Sequence, residues 1–234
     1  MEFSEQTAVV TGAAGNLGRA VVRALAHRGA NVVLADRSVD RLVGRYGPPD
    51  DRTLYVAGDL SEPADTAGIA QRARERFGGI DILCNLAGAF RMGEAVHETA
   101  DATWDLLFDA NVRSLRNMVR AVVPVMLEAG GGRIVNVGAY SARTGVANMG
   151  AYTAAKAVVL RLTEAMAAEL RGHNINVNCV LPATLDTPEN RAAMPDADPA
   201  RFVALADLAE AIVFLASPAA HAIHGAALPV TGLG

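Results

Sequence analysis

The run Thr7-Ala8-Val9-Val10-Thr11, leading directly into Gly12-Ala13-Ala14-Gly15-Asn16-Leu17-Gly18, restricts this chain more than any other feature. Its β-branched residues read as a short buried strand. Past the glycines, Leu17, Val21, Val22, Leu25 and Ala26 recur at helical spacing. A strand that enters a helix through a glycine-rich turn aims backbone N–H groups and a helix N-terminus at one point, where a diphosphate can sit. Gly12 permits the tight turn, Gly18 permits close packing of helix on strand, and Gly15, Asn16 and Leu17 complete the loop. A plain strand–helix turn has the same local pattern, so the remainder of the chain has to decide between the two.

The second strand, Asn31 to Ala35, ends in Asp36-Arg37. A carboxylate there accepts hydrogen bonds from both adenosine ribose hydroxyls and repels a 2′-phosphate, which favours NAD(H). Arg37 pulls the other way, because a guanidinium holds phosphate well, and so NADP(H) stays open. Arg37 is otherwise a solvated side chain at the start of the next helix. A third strand, Thr53 to Ala57, leads into Gly58-Asp59-Leu60, where Asp59 either bonds the adenine amino group or caps the following turn. After a helix from about Glu62 to Phe77, the strand Asp81 to Leu86 ends in Asn85-Leu86-Ala87-Gly88, whose small residues let the backbone approach a ligand.

A long helix is expected from Thr103 to Leu127, with Pro124 kinking its last turns. Strands at Ile134 to Val137, Ile175 to Leu181 and Ala226 to Val230 alternate with helices ending near Arg171 and Ala216. This alternation predicts a parallel sheet with helices on both faces. The polar, proline-bounded run Glu189 to Arg201, inside a segment of about 184–201, reads as a lid.

A net charge of −4 leaves no electrostatic footprint for nucleic acid. No apolar stretch reaches the roughly 18–20 residues that span a bilayer. The N-terminus lacks the basic region of a signal peptide, so the cytoplasm is the expected compartment. Cys84 and Cys179 lie in apolar strand-like runs and read as buried thiols rather than a disulfide. His221 and His224 form a close pair with no Cys, Asp or Glu ligands at suitable spacing, so no metal is expected.

Tyr152 and Lys156 lie four residues apart on a helix and therefore share one face. A phenol beside a fixed ammonium is a proton donor with a lowered pKa. Alone, the pair is also what a surface tyrosine near a solvated lysine looks like. Asn111 interrupts the apolar face of the long helix, either as a core residue that binds water or bends the helix, or as a functional one. Met149 and Met194 are placed to line a pocket or simply to pack.

Taken together, Thr11-Gly12 with Gly18, Asp36, Asp59-Leu60, Asn85 with Ala87-Gly88, Trp104-Asp105, Asn111, Tyr152 with Lys156, and Pro182 with Thr187 resemble the short-chain dehydrogenase/reductase family over essentially the whole chain. The resemblance implies one Rossmann-type doubly wound α/β domain spanning 1–234, with a seven-stranded parallel sheet in the order 3-2-1-4-5-6-7. It implies hydride transfer between a nicotinamide cofactor and a small-molecule carbonyl, alcohol or quinonoid heterocycle. Tyr152 would be the general acid/base. Lys156 would hold the nicotinamide ribose and depress the tyrosine pKa, and Asn111 would carry a relay water. Thr187 would meet the carboxamide. A homodimer or homotetramer is implied, paired through the two long helices.

Three positions depart from the family pattern. Asn16 stands where a glycine is usual, and Leu86 replaces the second asparagine of an Asn-Asn-Ala-Gly run. Ala139, thirteen residues before Tyr152, stands where the family has its catalytic serine. Ser141, two residues on, is the nearest hydroxyl in sequence apart from Tyr140. Gly138-Ala139 with Gly150, Leu185-Asp186-Thr187-Pro188 and Met194-Pro195-Asp196 resemble dihydropteridine reductases, which also lack the serine and use NADH on an electrophilic heterocycle. The competing expectation is an NAD-binding regulatory or scaffold protein that kept the fold and lost the chemistry.

Overall fold

The computed structural model describes residues 2–233. Seven strands form one sheet: β1 (Thr7–Thr11), β2 (Asn31–Asp36), β3 (Thr53–Ala57), β4 (Ile82–Asn85), β5 (Gly132–Val137), β6 (Ile175–Pro182) and β7 (Ala227–Val230). Every pairing is parallel and the order is β3-β2-β1-β4-β5-β6-β7, as the family resemblance implies. The order reverses between β1 and β4. Ligands of open α/β sheets bind in the crevice that such a reversal opens at the strands' carboxyl ends.

Strand residues alternate between two apolar layers. Val10, Val32, Leu34, Ile82, Val135 and Val180 face α1 (Asn16–His27) and α8 (Leu205–Ala216). Their neighbours Val9, Val33, Leu83, Ile134 and Cys179 face α3 (Pro63–Phe77), α5 (Ser114–Ala129) and α6 (Gly150–Leu170). A period of two on strands covered on both faces explains why β1 and β6 are buried along their whole length. Helix α2 (Val39–Tyr46) follows β2, capped by Ser38, whose hydroxyl accepts from the Asp40 N–H.

The long central helix differs from expectation. It consists of α4 (Asp101–Phe108), a π-helical turn over Asp109–Arg113, and α5. This π-helical turn is centred on Asn111, and α5 continues through Pro124 to Ala129. The Asn111 side chain bonds the Leu107 carbonyl, which occupies a group of the helical ladder and widens the turn. The lid segment is partly ordered into α7 (Pro188–Ala193) and a 3₁₀ turn at Pro199–Arg201, tied back by a bridge between Leu185 and Val203.

Candidate active site

The turn after β1 forms one wall. Gly12 has φ +64°, and a Cβ on it would lie 3.0 Å from the Ala87 Cα, so only glycine lets the turn rest on the end of β4. A Cβ on Gly18 would come within 2.6 Å of the Ala13 carbonyl oxygen. Thr11 Oγ1 accepts from the N–H groups of Leu86 (3.0 Å) and Ala87 (3.2 Å), which joins the two strand ends. Helix α2 braces the turn: Tyr46 donates to the Ala13 carbonyl at 2.7 Å and Arg45 Nε to the Ala14 carbonyl at 3.1 Å. Burial pushes the Tyr46 phenol well above its ordinary range, so it stays a donor.

No motif points to Arg45 or Tyr46, which only the fold brings to this loop. No side chain caps α1, so its first N–H groups face outward from the turn. An uncapped helix start over glycines that leave no room for a Cβ fits the diphosphate of a dinucleotide.

Asp36 closes β2 and is buried. Its Oδ2 accepts from the Ala14 N–H at 3.0 Å, and its Oδ1 accepts from the Arg37 N–H at 2.9 Å and Arg41 Nη1 at 2.7 Å. Three of a carboxylate's roughly four acceptor positions are thus used. Accepting from both ribose hydroxyls therefore requires Arg41 to swing away, which its half-exposed side chain can do. The guanidinium that meets Asp36 is that of Arg41, one helical turn on, while Arg37 is exposed. Asp59 makes a local turn, accepting from the Ser61 N–H (2.9 Å) and hydroxyl (2.7 Å), and these bonds hold its carboxyl below the usual range. Leu60 follows it, and Asn117 of α5 donates to the Leu60 carbonyl at 3.0 Å.

The second wall is built around Lys156. It is 6% exposed, and its Nζ donates to the Val137 carbonyl at 2.8 Å. A Cβ on Gly88 would lie 2.6 Å from Asn111 Oδ1 and 3.4 Å from Lys156 Nζ, so the missing side chain brings Asn111, Gly88 and Lys156 together. Both Asn111 amide hydrogens are committed, to the Leu107 (2.9 Å) and Ala89 (3.0 Å) carbonyls, and Oδ1 accepts from the Ala89 N–H at 3.3 Å. One Oδ1 lone pair is left for a water. Asn85 donates to Asn136, which donates to Thr163 of α6, a buried chain that joins β4, β5 and α6 behind the site.

The proton chemistry differs from expectation. Burial raises the Tyr152 phenol to about 12 and lowers the Lys156 ammonium to about 8. The expected lowering of Tyr152 by Lys156 is not what this geometry produces. Desolvation opposes charge on both side chains, and the ammonium is turned to the Val137 carbonyl.

Tyr152 meets Phe90 in a T-shaped pair, ring centroids 4.9 Å apart and planes at 87°. Sequence reasoning missed Phe90, which lies in a loop without periodicity. Ala139 is 5% exposed at the end of β5, and Ser141 lies beyond it in a 3₁₀ turn, half-buried. Beside the start of α6, a cavity of about 80 Å³ is lined by Met92, Thr103, Leu107 and Met149 among others.

Across the crevice, Pro182 ends β6 and Thr187 caps α7, its Oγ1 accepting from the Asn190 N–H at 3.2 Å. The Thr187 hydroxyl also interacts with the Glu189 carboxylate, which is held below its usual range. Asp186 and Arg191 form a two-bond ion pair (2.5 and 2.7 Å) on the lid, and Met194 is half-buried at the end of α7. Asn16 Nδ2 donates to Glu189 Oε2 at 2.9 Å, so α7 is tied to the glycine turn. Cys84 and Cys179 are both free thiols, pushed by burial to about 12 and about 11. Among the described residues no three His, Cys, Asp or Glu side chains gather as metal ligands. No described helix is long and apolar enough to cross a membrane.

A doubly wound sheet with a glycine turn at its switch point and a Tyr–Lys pair beside it defines a dinucleotide-binding oxidoreductase architecture. The short chain dehydrogenase family profile matches residues 6–198, and the chain belongs to that family. It is 36% identical over 98% of its length to the cis-4-hydroxycyclohexanecarboxylate dehydrogenase of Sinomonas cyclohexanicum, covering 96% of that protein. It is 30% identical over 99% of its length to the 3-oxoacyl-(acyl-carrier-protein) reductase of Vibrio cholerae, covering 98% of it.

Among solved structures, the 3-ketoacyl-(acyl-carrier-protein) reductase of Brucella melitensis complexed with NADH aligns with TM-score 0.88 and 32% identity, with 97% of each chain covered. Levodione reductase aligns with TM-score 0.91 and 27% identity, covering 98% of this chain and 97% of that one. The chain is an NAD(P)-dependent oxidoreductase with a nicotinamide cofactor.

Proposed function

We propose that this enzyme uses NAD(H) to interconvert an alcohol with a carbonyl, or to reduce a quinonoid group, where the reacting carbon belongs to a ring. The observation that carries the reading is the half-buried Tyr152 one turn from the buried Lys156 on α6, with the lysine closed in by Gly88 and Asn111. The nicotinamide supplies or removes the hydride. Tyr152 then gives a proton to the substrate oxygen or ring nitrogen. Its burial keeps the phenol protonated until that moment. Lys156 supports the ribose side of the cofactor, and Asn111 holds the Ala89 backbone with one acceptor left for a relay water. Gly12, Gly15, Asn16, Leu17 and Gly18 hold the diphosphate, Asp36 the adenosine ribose, and Thr187 the carboxamide.

Ala139 selects the substrate. A missing hydrogen-bond donor in a preorganised site typically costs about 3–4 kcal/mol of transition-state stabilisation. The substrate must therefore be more electrophilic than a plain ketone, as a quinonoid dihydropterin is, or be held unusually well. The cyclohexane ring in the name of the Sinomonas relative supports a ring, and the lid's resemblance to dihydropteridine reductases supports a flat one. The buried carboxylate of Asp36 favours NAD(H) over NADP(H). Two free buried thiols are consistent with a reducing cytoplasm. Exposed Leu106 and Leu127 on the central helix support a homodimer or homotetramer, measurable by light scattering.

The test is NADH oxidation by wild type, Tyr152→Phe and Ala139→Ser with a quinonoid dihydropterin, ring ketones and chain ketones. Wild-type turnover that Tyr152→Phe abolishes, with NADH affinity little changed, is expected. Ala139→Ser should extend activity to unactivated ketones. Turnover that survives Tyr152→Phe would overturn the assignment, and NADH binding without any turnover would leave the regulatory alternative.

A further inference from the structure

The most exposed aromatic contact of the site is the one that no motif explains. Phe90 is 47% exposed, yet it belongs to neither apolar layer of the sheet, and its ring partner is Tyr152. Its backbone is fixed from both sides. Ala89 is held in both directions by the Asn111 amide, the Arg91 guanidinium donates to the Phe90 carbonyl at 2.9 Å, and the Gly93 N–H donates to the Asn148 carbonyl at 2.9 Å.

A large apolar side chain held half in solvent by that many polar anchors is not explained by core packing. Its open half lies on a segment with two further exposed apolar residues, Met92 and Val96, next to a cavity that Met92 and Met149 line. Phenyl rings contact other rings in offset or edge-on arrangements that add to simple burial, whereas a flexible chain gains only burial.

We propose that Phe90 is the specificity-determining residue of this enzyme: its exposed ring receives the ring of a cyclic substrate and sets that ring's carbonyl or imine against the Tyr152 hydroxyl. The inference rests on Tyr152 being the proton donor. It deepens that reading by assigning ring recognition to one side chain of the loop after β4. With no serine at 139 to orient the carbonyl, the ring contact is what replaces it as the orienting element. The Phe90 ring already packs edge-on against Tyr152 without substrate and helps to shield the phenol from water.

The experiment compares cyclohexane-1,2-dione with hexane-2,3-dione, activated ketones that share carbon count and reacting group, and adds the quinonoid dihydropterin, in wild type, Phe90→Leu and Phe90→Tyr. Phe90→Leu is expected to lower kcat/KM for the ring substrates on the order of 10-fold, mainly through KM, and to leave hexane-2,3-dione within about twofold. Phe90→Tyr should restore the ring substrates. NADH affinity by fluorescence and the thermal midpoint should match wild type in both variants, since the side chain is outside the core. A parallel loss for ring and chain substrates, or no loss for either, overturns the role of Phe90 while Tyr152→Phe separately reports on the proton donor. No turnover of any of the three by wild type overturns the parent reading and this inference with it.

Discussion

Replacing Lys156 by methionine should cost activity and change how stability depends on pH. Lys156 is 6% exposed, and burial lowers its ammonium from the ordinary 10.5 to about 8. Below pH 8 the folded protein carries the full cost of a charge out of water. Between about 8 and 10.5 the folded state binds fewer protons than the unfolded one, so stability rises with pH; above that window no further gain accrues. For these two values the rise between pH 7 and 9.5 is about 2 kcal/mol.

Methionine matches the length of the stem without the charge, so Lys156→Met lacks this rise. Against that, it loses the bond to the Val137 carbonyl, worth about 1.5–3 kcal/mol at every pH below the titration. The sign of the difference at pH 7 therefore depends on two similar magnitudes, but its pH dependence does not. Cys84 and Tyr152 also titrate with raised pKa values in both proteins and largely cancel; Cys179 interacts with Lys156, but burial holds its thiol up at about 11, so it stays protonated in the folded protein across this range. Urea unfolding followed by circular dichroism at pH 7.0, 8.2 and 9.5 measures the quantity. Wild type should gain about 2 kcal/mol on Lys156→Met across the range, equivalent to roughly 4–8 °C in Tm. A difference constant to within about 0.5 kcal/mol would show that the ammonium is hydrated in the folded protein, and the desolvation argument would be wrong.

Gly18→Ala places a methyl group 2.6 Å from the Ala13 carbonyl oxygen and 2.7 Å from the Ala13 Cα. Overpacking against backbone should lower stability by about 1–3 kcal/mol and Tm by roughly 3–10 °C, with weaker NADH binding; a calorimetric midpoint equal to wild type would refute the close packing of α1 on its turn. Glu189→Gln keeps an acceptor for Asn16 but removes a negative charge beside the diphosphate turn. NADH should bind on the order of threefold tighter, more so at low salt, and titrations at two ionic strengths that show no change would mean that the lid swings clear. Asp36→Ala frees Arg41 and removes the carboxylate that repels a 2′-phosphate. The ratio of kcat/KM for NADPH over NADH should rise by at least about tenfold, and an unchanged ratio would place the ribose elsewhere.

The elements of this chain were legible because their signals are local. Buried parallel strands appear as short apolar runs, α1 as a helical stripe after glycines, and the order of strands and helices decides a parallel sheet whatever the side-chain detail. Tyr152 with Lys156, Gly12 with Gly18, and Asp36 at a strand end are visible because backbone geometry converts their spacing directly into proximity. The role of Asn111 stayed open in the sequence, because its bond to the Leu107 carbonyl and the π-helical turn around it depend on which way that side chain faces.

What the tertiary structure alone decided are the contacts between distant segments. The space that Gly88 leaves for Asn111 and Lys156, Arg41 in place of Arg37 on Asp36, Arg45 and Tyr46 behind the glycine turn, and Phe90 against Tyr152 all join residues from different crossovers. The opposite displacements of the Tyr152 and Lys156 pKa values belong to the same class. Spacing along a helix puts a phenol and an ammonium on one face, but how much water surrounds them is set by every segment that packs over that face, and desolvation rather than their mutual attraction sets the direction of both shifts.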